Sequence, residues 1–564
     1  MPQDAFTLRY LCEELNNLFA NGKVNKITEP SVDELVLTLY TGKKTEKLLL
    51  NVNPASPRIG VIHEDRESPL TAPNFCMLMR KHLLSATLKK ISLVGFDRIV
   101  KIDFLASGEF FDSVEKTVYV ELMGRYSNII LTENGKILGG NRGINMFDQG
   151  VRPLIVGKPY VYPPVGEKLL PNDKNLIEIF NQSQSKIAES ITQNVQGVAL
   201  STAKEIERKY IEKHGVEVDA VALFNFLNDF LFNEKKNPCV VIENGAIKDV
   251  LAFPYDVIGG ELKFFEQLYF AEEFYFTERD KLKKFTAKKE RLSSITATAI
   301  KKVKKRLVAI NAKEKDATQA EENKIKGELL LANLYRIKQG QLECELENYY
   351  DGSTIKIVLD SRLSVSKNAE NYYKKYNKQK RTLIALKPQR EQAETELNYL
   401  TSVADEISLA ENIDDLNLVQ LEIESMGLIQ VKNNLAKKPK KETFCREYNV
   451  QGFKVRAGRN NAENDKLTFT ANPNDVWVHV KDYHSSHVVI ESLNKQVPES
   501  VVIVACEICA YYSKGRVGGK TEVVYTLKKH VKKPPRSKPG FCVYDNFKSV
   551  MVTAEKHVEF LKND

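Results

Sequence analysis

The sequence has few cysteines and no long apolar run, and both shortages exclude whole classes of protein. Its eight cysteines are scattered, and only Cys506 and Cys509 form a CxxC pair, with no second pair to complete a tetrahedral zinc site. The most apolar stretch, residues 501–512, is too short to span a bilayer and contains Glu507. Residues 1–20 lack the uninterrupted apolar core of a secretory signal. These features favour a cytoplasmic protein with reduced thiols, no membrane segment and no metal.

The motifs of the common catalytic sites are also missing. Lys514 stands where a phosphate-binding loop ending at residues 519–521 would need glycine, and the patterns GxGxxG after a strand, GxSxG and HExxH do not occur. The only cluster of histidines is His479, His484 and His487. Metal binding would explain it, but carboxylate and thiolate partners are not spaced nearby, so contact with RNA or local hydrogen bonding is favoured. The sequence therefore predicts neither enzymatic activity nor a cofactor.

What the chain does have is clustered positive charge. Its 83 basic and 74 acidic residues give a net charge of +9, a modest excess for 564 residues. The basic residues concentrate at 301–306 and 527–538, where several cations could meet phosphates together. A solvated helix face or loop is the alternative interpretation of each run.

The chain is too long for a single hydrophobic core, and its patterns predict a multidomain α+β protein. The predicted parts are an α+β domain at 1–172, a helix-hairpin-helix domain at 173–275, a long antiparallel coiled-coil arm with a small β tip at 276–435, and a C-terminal α+β domain at 442–564. In the first part, residues 8–19 indicate a helix, residues 47–52 and 117–122 indicate strands, and Asn134-Gly135 indicates the type I′ turn of a hairpin. The last part is predicted to place alternating strands around one helix.

A glycine turn at residues 194–197 separates predicted helices at 187–191 and 201–213. Such a turn can present backbone N–H groups to a phosphate, but most turns of this kind serve packing, and both interpretations stay open. Residues 173–272 as a whole are predicted to be mostly helical.

Two long helices are predicted in the arm. Helical character extends from residue 277 to 338 and again from 368 to 407, with strand-like residues 341–359 between them. Neither helix could bury its apolar stripe alone, so we expect an antiparallel hairpin, and Pro388 predicts a kink. The seam residues are Leu292, Ile295, Ala299, Val303, Leu307 and Ile310 in the first helix and Leu383, Leu386, Arg390, Ala393, Leu397 and Leu400 in the second.

Asp97 and Arg98 interrupt two strand-like runs, residues 90–94 and 99–104. An acid next to a base at a break in a sheet is most often a structural ion pair or turn. An arginine in that position can also bind a phosphate in a bidentate manner. The residues alone leave both interpretations open.

Taken in order along the chain, a series of short motifs resembles the NFACT family, whose members act in ribosome-associated quality control. In the first half the match rests on Asp4, Asp97-Arg98 and residues 75–81 (FCMLMRK), 152–157 (RPLIVG) and 160–164 (YVYPP). In the arm it rests on residues 327–333 (GELLLAN), 359–360, 368–369 and 376–380 (YNKQK). In the last part it rests on residues 458–460, 464–465, 475–479 (DVWVH), 486–487, 511–513, 531–534 and 538–540. Three departures are His484-Ser485 in place of Pro-Gly, Val524 in place of aspartate and Val480 in place of alanine.

The resemblance implies a protein that binds the large (50S) ribosomal subunit carrying a stalled nascent chain on tRNA and recruits further tRNA, in bacteria alanine tRNA. The implied product is a C-terminal alanine tail, added without mRNA, that marks the chain for degradation, and the ribosome itself makes each bond. Other quality-control factors are implied as further partners. Asp97 and Arg98 match a pair that the family needs for tail elongation, and Asp4 joins them as a tRNA-binding candidate. The implied C-terminal RNA-binding domain supplies the candidates Arg459, Asn460, His479, His487, Lys532 and Lys533.

Two other functions stay open. The family's older label, a surface adhesin for fibronectin, would require export and anchoring. The first two parts also look similar to a DNA glycosylase, with Pro2 where such enzymes keep a proline nucleophile, although Gln3 replaces the acid that this chemistry needs.

Overall fold

The computed structural model describes residues 3–107, 113–142, 152, 154–164, 166–183, 186–429 and 445–562. The chain divides into two compact units, Met1–Lys281 and Leu282–Asp564. The four domain boundaries expected from the sequence stay predictions. None of the described helices combines the length and the hydropathy that crossing a membrane requires.

A nine-stranded antiparallel sheet forms the centre of the first unit, in the spatial order β4-β3-β2-β1-β5-β6-β7-β8-β9. Its strands are β1 Lys23–Ser31, β2 Glu34–Tyr40, β3 Thr45–Asn51, β4 Arg58–Val61, β5 Thr87–Leu93, β6 Ile99–Ser107, β7 Ser113–Glu121, β8 Asn128–Glu133 and β9 Lys136–Gly140. Helices α1 (Ala5–Phe19) and α2 (Asn74–Leu83) bury apolar side chains in the same core. The predicted hairpin turn is confirmed, because Asn134 and Gly135 connect β8 and β9 with φ angles of 47° and 78°.

The rest of the first unit contains the predicted helical hairpin and a sheet that the sequence patterns did not predict. Its helices are α3 Asn175–Gln182, α4 Ile187–Asn194, α5 Leu200–His214 and α6 Ala220–Asn233. The expectation of mostly helical structure holds for these residues, but three short antiparallel strands follow α6. These are β10 Cys239–Glu243, β11 Ala246–Leu251 and β12 Glu261–Phe264. The strands are four to six residues long and β12 is largely exposed, so the alternation that marks a half-buried strand is weak.

The helical hairpin of the arm is formed by α7 (Leu268–Ala317) and α8 (Ala320–Ala332) on one side and α9 (Val365–Leu409) on the other. Its tip is the two-stranded sheet of β13 (Glu343–Glu347) and β14 (Thr354–Val358), as predicted. The helices run antiparallel, and the seam residues bury their side chains together; these are Val303, Ile310, Leu386, Ala393 and Leu400. At 1.5 Å per residue, the 50 residues of α7 extend over about 75 Å.

The arm differs from expectation in an interruption, in the end of its first helix and in one additional helix. The first helix is interrupted at Thr318, whose hydroxyl donates to the Lys315 carbonyl at 2.6 Å and so competes with the helical hydrogen bonds. That helix also ends at Ala332 rather than near residue 338. The second helix continues through Pro388 without ending there, and whether it bends at Pro388 stays a prediction. A further helix that was not predicted, α10 (Ile413–Ser425), packs on the base of the arm.

The C-terminal part is a six-stranded antiparallel sheet in the order β15-β16-β18-β17-β19-β22, with a separate β20–β21 pair. Its strands are β15 Arg446–Val450, β16 Phe453–Ala457, β17 Val476–Val480, β18 Val488–Ile490, β19 Lys520–Leu527, β20 Val531–Lys532, β21 Val543–Tyr544 and β22 Lys548–Thr553. The prediction of one helix is wrong, because described residues 445–562 contain two α-helices, α11 (Asn461–Thr470) and α12 (Glu499–Tyr511). Cys506 and Cys509 lie buried on α12.

Candidate nucleic-acid interface

Asp97 and Arg98 lie in the turn between β5 and β6, where the sequence placed them. Gly95 opens the turn with a φ of +60°, a conformation that L side chains rarely adopt. The Asp97 carboxylate accepts the backbone N–H of Arg98 at 2.7 Å, and the Arg98 carbonyl accepts the N–H of Leu122 at 2.9 Å. The backbone of the turn is therefore fixed while both side chains remain partly exposed.

Asp4 is buried directly beside this turn and caps α1. Its Oδ1 accepts the backbone N–H of Thr7 at 2.8 Å, and its Oδ2 accepts the Thr202 hydroxyl at 2.9 Å and the Ala199 N–H at 3.3 Å. Burial lowers the pKa of Arg98, and the charges of Asp97 and Asp4 oppose that shift. Asp4 thus holds α1 against α5 and supplies negative charge behind Arg98, which makes it a positioning residue; its role in tRNA binding stays a prediction.

The glycine turn of the helical hairpin packs onto the same place. Gly197 has a φ of +76°, and a Cβ at this position would lie 2.2 Å from the Phe96 carbonyl oxygen and 2.6 Å from the Ala5 Cβ. The Gly197 carbonyl also accepts the Ala5 N–H at 3.2 Å. The turn therefore serves packing, which favours the second of its two interpretations. Segments around residues 4, 97 and 197 are distant in the sequence but pack together at the turn that carries Arg98.

In the second unit, motifs of the last part that are far apart in the sequence meet at one end of the sheet. The Ser486 hydroxyl donates to the Gly458 carbonyl at 2.6 Å, and the Gly458 N–H donates to the His487 carbonyl at 3.1 Å. The His487 N–H donates to Asn464 Oδ1 at 2.9 Å. Gly540 completes the group, because a Cβ there would lie 2.6 Å from Asn461 Oδ1. These motifs build a single structural centre.

His487 and His479 lie in this centre, next to the only tryptophan. The Trp477 indole N–H donates to Thr468 Oγ1 at 3.2 Å, and Thr468 Oγ1 lies 2.7 Å from His487 Nδ1. The Thr468 hydroxyl therefore links the two rings, because it accepts the indole N–H and also lies within hydrogen-bond distance of His487 Nδ1. Burial holds the pKa of His487 well below its usual value and lowers the pKa of His479 to about 4. Both rings are therefore uncharged near neutral pH.

Arg459 and Asn460 stand at the start of α11. Asn460 is its N-cap and accepts the backbone N–H of Glu463 at 2.9 Å. Arg459 Nη2 contacts Glu463 Oε1 at 2.7 Å. Both residues have structural partners, and the prediction that they bind RNA is untested.

Lys532 and Lys533 differ in their surroundings. Lys533 Nζ lies 2.6 Å from Asp465 Oδ2, which ties the basic segment to α11. Lys532 is exposed and its Nζ lies 3.8 Å from Asp545, an interaction that solvent screens strongly. Lys532 is therefore the better placed of the two to exchange its partner for a phosphate.

Possible metal ligands come together at a different place from the histidines of this centre. Within the part of the chain that the structure describes, one group has suitable spacing: Glu507, Glu555 and His557 bring ligand atoms within 4.8 Å of one another. His557 Nε2 already lies 2.7 Å from Glu507, so the group is satisfied as an ion pair. The CxxC pair is unsuited to redox or metal work at neutral pH, because burial raises the pKa of Cys509 to about 12 and raises that of Cys506 as well.

The sequence did not point to several residues of the C-terminal centre. Thr468 links both aromatic motifs, and Ser537 and Tyr483 line the same groove as His479. One feature of the sequence could have indicated this groove. Residues 536–544 mix basic and aromatic residues, which is typical of nucleic-acid-binding segments. Two of the departures from the family pattern fall here too, because His484 and Val480 line the same groove, whereas Val524 is a buried strand residue.

Two family models match this chain. The model of the NFACT N-terminal and middle domains matches residues 4–442, and that of the NFACT protein RNA binding domain matches residues 442–540. The chain is 30% identical to the Rqc2 homolog RqcH of Bacillus subtilis over 97% of its own length and 96% of that protein. It is 30% identical to the protein of the same name from Streptococcus pneumoniae serotype 2, with 98% of each chain covered. The solved N-terminal part of the fibronectin/fibrinogen-binding protein from Streptococcus suis aligns with 49% of this chain and 99% of its own, at 26% identity and a TM-score of 0.42.

Proposed function

The chain belongs to the NFACT family, and from that premise we propose that it is a ribosome-associated quality control factor. It binds the large ribosomal subunit that carries a stalled nascent chain on tRNA and recruits further tRNA for template-free addition of C-terminal alanine. The observation that carries this proposal is that the match to Rqc2 homologs extends over both units and is not confined to the RNA-binding domain.

The Asp97–Arg98 turn is the part of the first unit that we assign to tRNA. A partly exposed guanidinium on a fixed backbone can bind one phosphate through two N–H groups, and Asp97 orients the peptide that carries it. Asp4 and the turn at Gly197 hold this arrangement from behind. The protein forms no covalent bond itself in this proposal, because the ribosome joins the amino acids.

The tip of the arm provides a second contact in the proposal. Several large apolar side chains around β13 and β14 are exposed there, namely Tyr335, Leu342, Tyr349, Tyr350 and Val358. Contiguous exposed apolar patches mark interaction sites, whereas single exposed apolar residues are ordinary. We assign this surface to a ribosomal partner, with other quality-control factors as further candidates.

Removal of two exposed lysines from the C-terminal basic segment tests the RNA contact. We expect the double variant Lys529→Ala with Lys532→Ala to bind tRNA more weakly and with a shallower salt dependence. If both lysines meet phosphates, the slope of log affinity against log salt falls by about 1.5, roughly 0.7–0.9 for each contact. Binding is measured on purified tRNA at several salt concentrations, and co-sedimentation with large subunits is measured in parallel.

The matched control is Lys367→Ala with Lys374→Ala, two exposed lysines of α9 that pair with Glu370. This variant should keep the wild-type slope. Equal slopes for both double variants would remove the basic segment from the interface.

Two results would replace this proposal if the wild type bound neither tRNA nor large subunits. Release of the protein from surface-shaved intact cells would favour the adhesin, and cleavage of oxidised-base DNA would favour the glycosylase. Pro2, on which the glycosylase alternative depends, lies outside the described residues.

A further inference from the structure

A groove of about 640 Å³ opens in the second unit between loops of the C-terminal part and α9. Its volume lies in the range of about 300–1,000 Å³ that is usual for small-ligand sites. His479 and Val480 form its floor from β17, and residues 535–542 form one wall.

Two residues that line this groove each have a polar side-chain atom without a partner among the described residues. His479 Nδ1 and Ser537 Oγ are buried, and neither makes a hydrogen bond of normal geometry with any described residue. Buried polar atoms are nearly always hydrogen-bonded, because each unsatisfied one costs about 1–3 kcal/mol. Two such atoms in one groove indicate that a ligand supplies the missing partners. The neutral imidazole and the hydroxyl together offer both donors and acceptors, as the edge of a nucleobase requires.

The rest of the lining suits the other parts of a nucleotide. The lining also includes the aromatic residues Tyr399, Tyr483, Phe541 and Tyr544, and a stacked base is worth about 1–3 kcal/mol. Arg536 and Lys538 are exposed at the rim, where they can meet a phosphate. Asp482 is the one acidic side chain among the described lining residues, and it can accept an exocyclic amino group.

We propose that this groove binds one unpaired nucleotide of an RNA. The base stacks on the tyrosines, its edge bonds His479 and Ser537, and its phosphate lies against Arg536 and Lys538. The inference rests on the proposed function and deepens it, because it names an unpaired segment, in a loop or at a 3′ end, as what the C-terminal part recognises.

Trp477 gives a direct readout of this groove. It is the only tryptophan, and its ring is parallel to that of His479, with the ring centres 5.5 Å apart. Titration of the full chain with a stem-loop RNA and with a duplex that carries a single-stranded 3′ end should change Trp477 emission in a saturable manner. A blunt duplex of the same length should not. A response to the stem-loop assigns a loop nucleotide, and a response to the overhang assigns a 3′ end.

The variant His479→Phe with Ser537→Ala keeps an aromatic ring beside Trp477 but removes both polar atoms. We expect its affinity for the responding RNA to fall at least about ten-fold, as expected for two lost hydrogen bonds. The control His214→Phe with Ser500→Ala changes the same residue types outside the groove and should bind as the wild type does. If the first variant unfolds, Arg536→Ala with Lys538→Ala provides the second test at the exposed rim, with the same expected loss.

A gel-shift assay with bulk tRNA separates the two levels of the claim. If the wild type shifts tRNA but Trp477 responds equally to the blunt duplex or to no RNA, the groove is not the site and the proposed function stands. If both groove variants, His479/Ser537 and Arg536/Lys538, bind the RNA as tightly as the wild type does, the groove is likewise not the site and the proposed function stands. If the wild type shifts no RNA, the proposed function fails together with this inference.

Discussion

Replacement of Asp97 and Arg98 by alanine should strongly reduce tail elongation on stalled chains while the protein still binds large subunits. The Arg98 guanidinium is partly buried beside Asp97 and Asp4, so it is already oriented and loses little freedom when it binds a phosphate. One charge-assisted contact is worth about 1.5–3 kcal/mol, so elongation should fall about 10- to 100-fold. The measurement is the length of tails on a stalled reporter chain in cells that lack the endogenous protein.

Lys101→Ala with Asp103→Ala is the matched control. These two residues form an acid–base pair on β6, with Nζ and Oδ2 3.1 Å apart, so the control removes one acid and one base from the strand that follows the turn. It should support tails of wild-type length. If the Asp97/Arg98 variant unfolded or lost subunit binding, the pair would be a structural element, which is the other interpretation that the sequence left open.

Replacement of Gly197 by alanine should cause the largest loss of stability in the first unit. The added Cβ would overlap the Phe96 carbonyl oxygen at 2.2 Å and the Ala5 Cβ at 2.6 Å, and the backbone would keep a φ that favours glycine. Backbone strain and overpacking each cost about 1–3 kcal/mol, so we expect a loss of about 2–5 kcal/mol. Because Trp477 lies in the second unit, amide hydrogen exchange in Ala5–Phe19 is the suitable measurement.

Gly215 provides the control for the backbone contribution. It also has a positive φ, +86°, but a Cβ there would meet no atom within 4 Å. Gly215→Ala should therefore cost only the backbone contribution, about 1–3 kcal/mol, without the overpacking. Peptides of the second unit should exchange at the wild-type rate in both variants. Equal effects of the two substitutions would mean that the turn at Gly197 does not support the Asp97–Arg98 turn through close packing.

Local chemistry explains which parts of the fold could be predicted from the sequence. Asn134-Gly135 carries its turn type in two residues, and the arm repeats one seam over many turns, so both predictions are confirmed. Helix α11 has no repeated apolar seam, because it buries the polar residues Asn461, Glu463, Asn464 and Thr468 alongside Leu467. Helix α10 does carry a helix signal, an Asn412 cap followed by apolar Leu416, Val419 and Ile423, although this helix was not predicted.

The candidate site divides in the same way. The break in the sheet at Asp97 was readable from flanking strands, whereas the approach of Asp4 and Gly197 to it depends on tertiary packing. The family resemblance implies Arg459 and Asn460 as candidates, but a sequence does not reveal that Asn460 caps α11 and that Arg459 pairs with Glu463. The orphaned Nδ1 of His479 is likewise visible only in three dimensions.

Sequencing of the RNA that co-purifies with the protein from cells tests the central claim most directly. The protein is captured after cross-linking, and its RNA is compared with total RNA from the same lysate and with RNA captured by the Lys529/Lys532 variant. We predict strong enrichment of tRNA, with alanine tRNA foremost, together with large-subunit ribosomal RNA. A library with no enrichment of tRNA over total RNA would contradict the account.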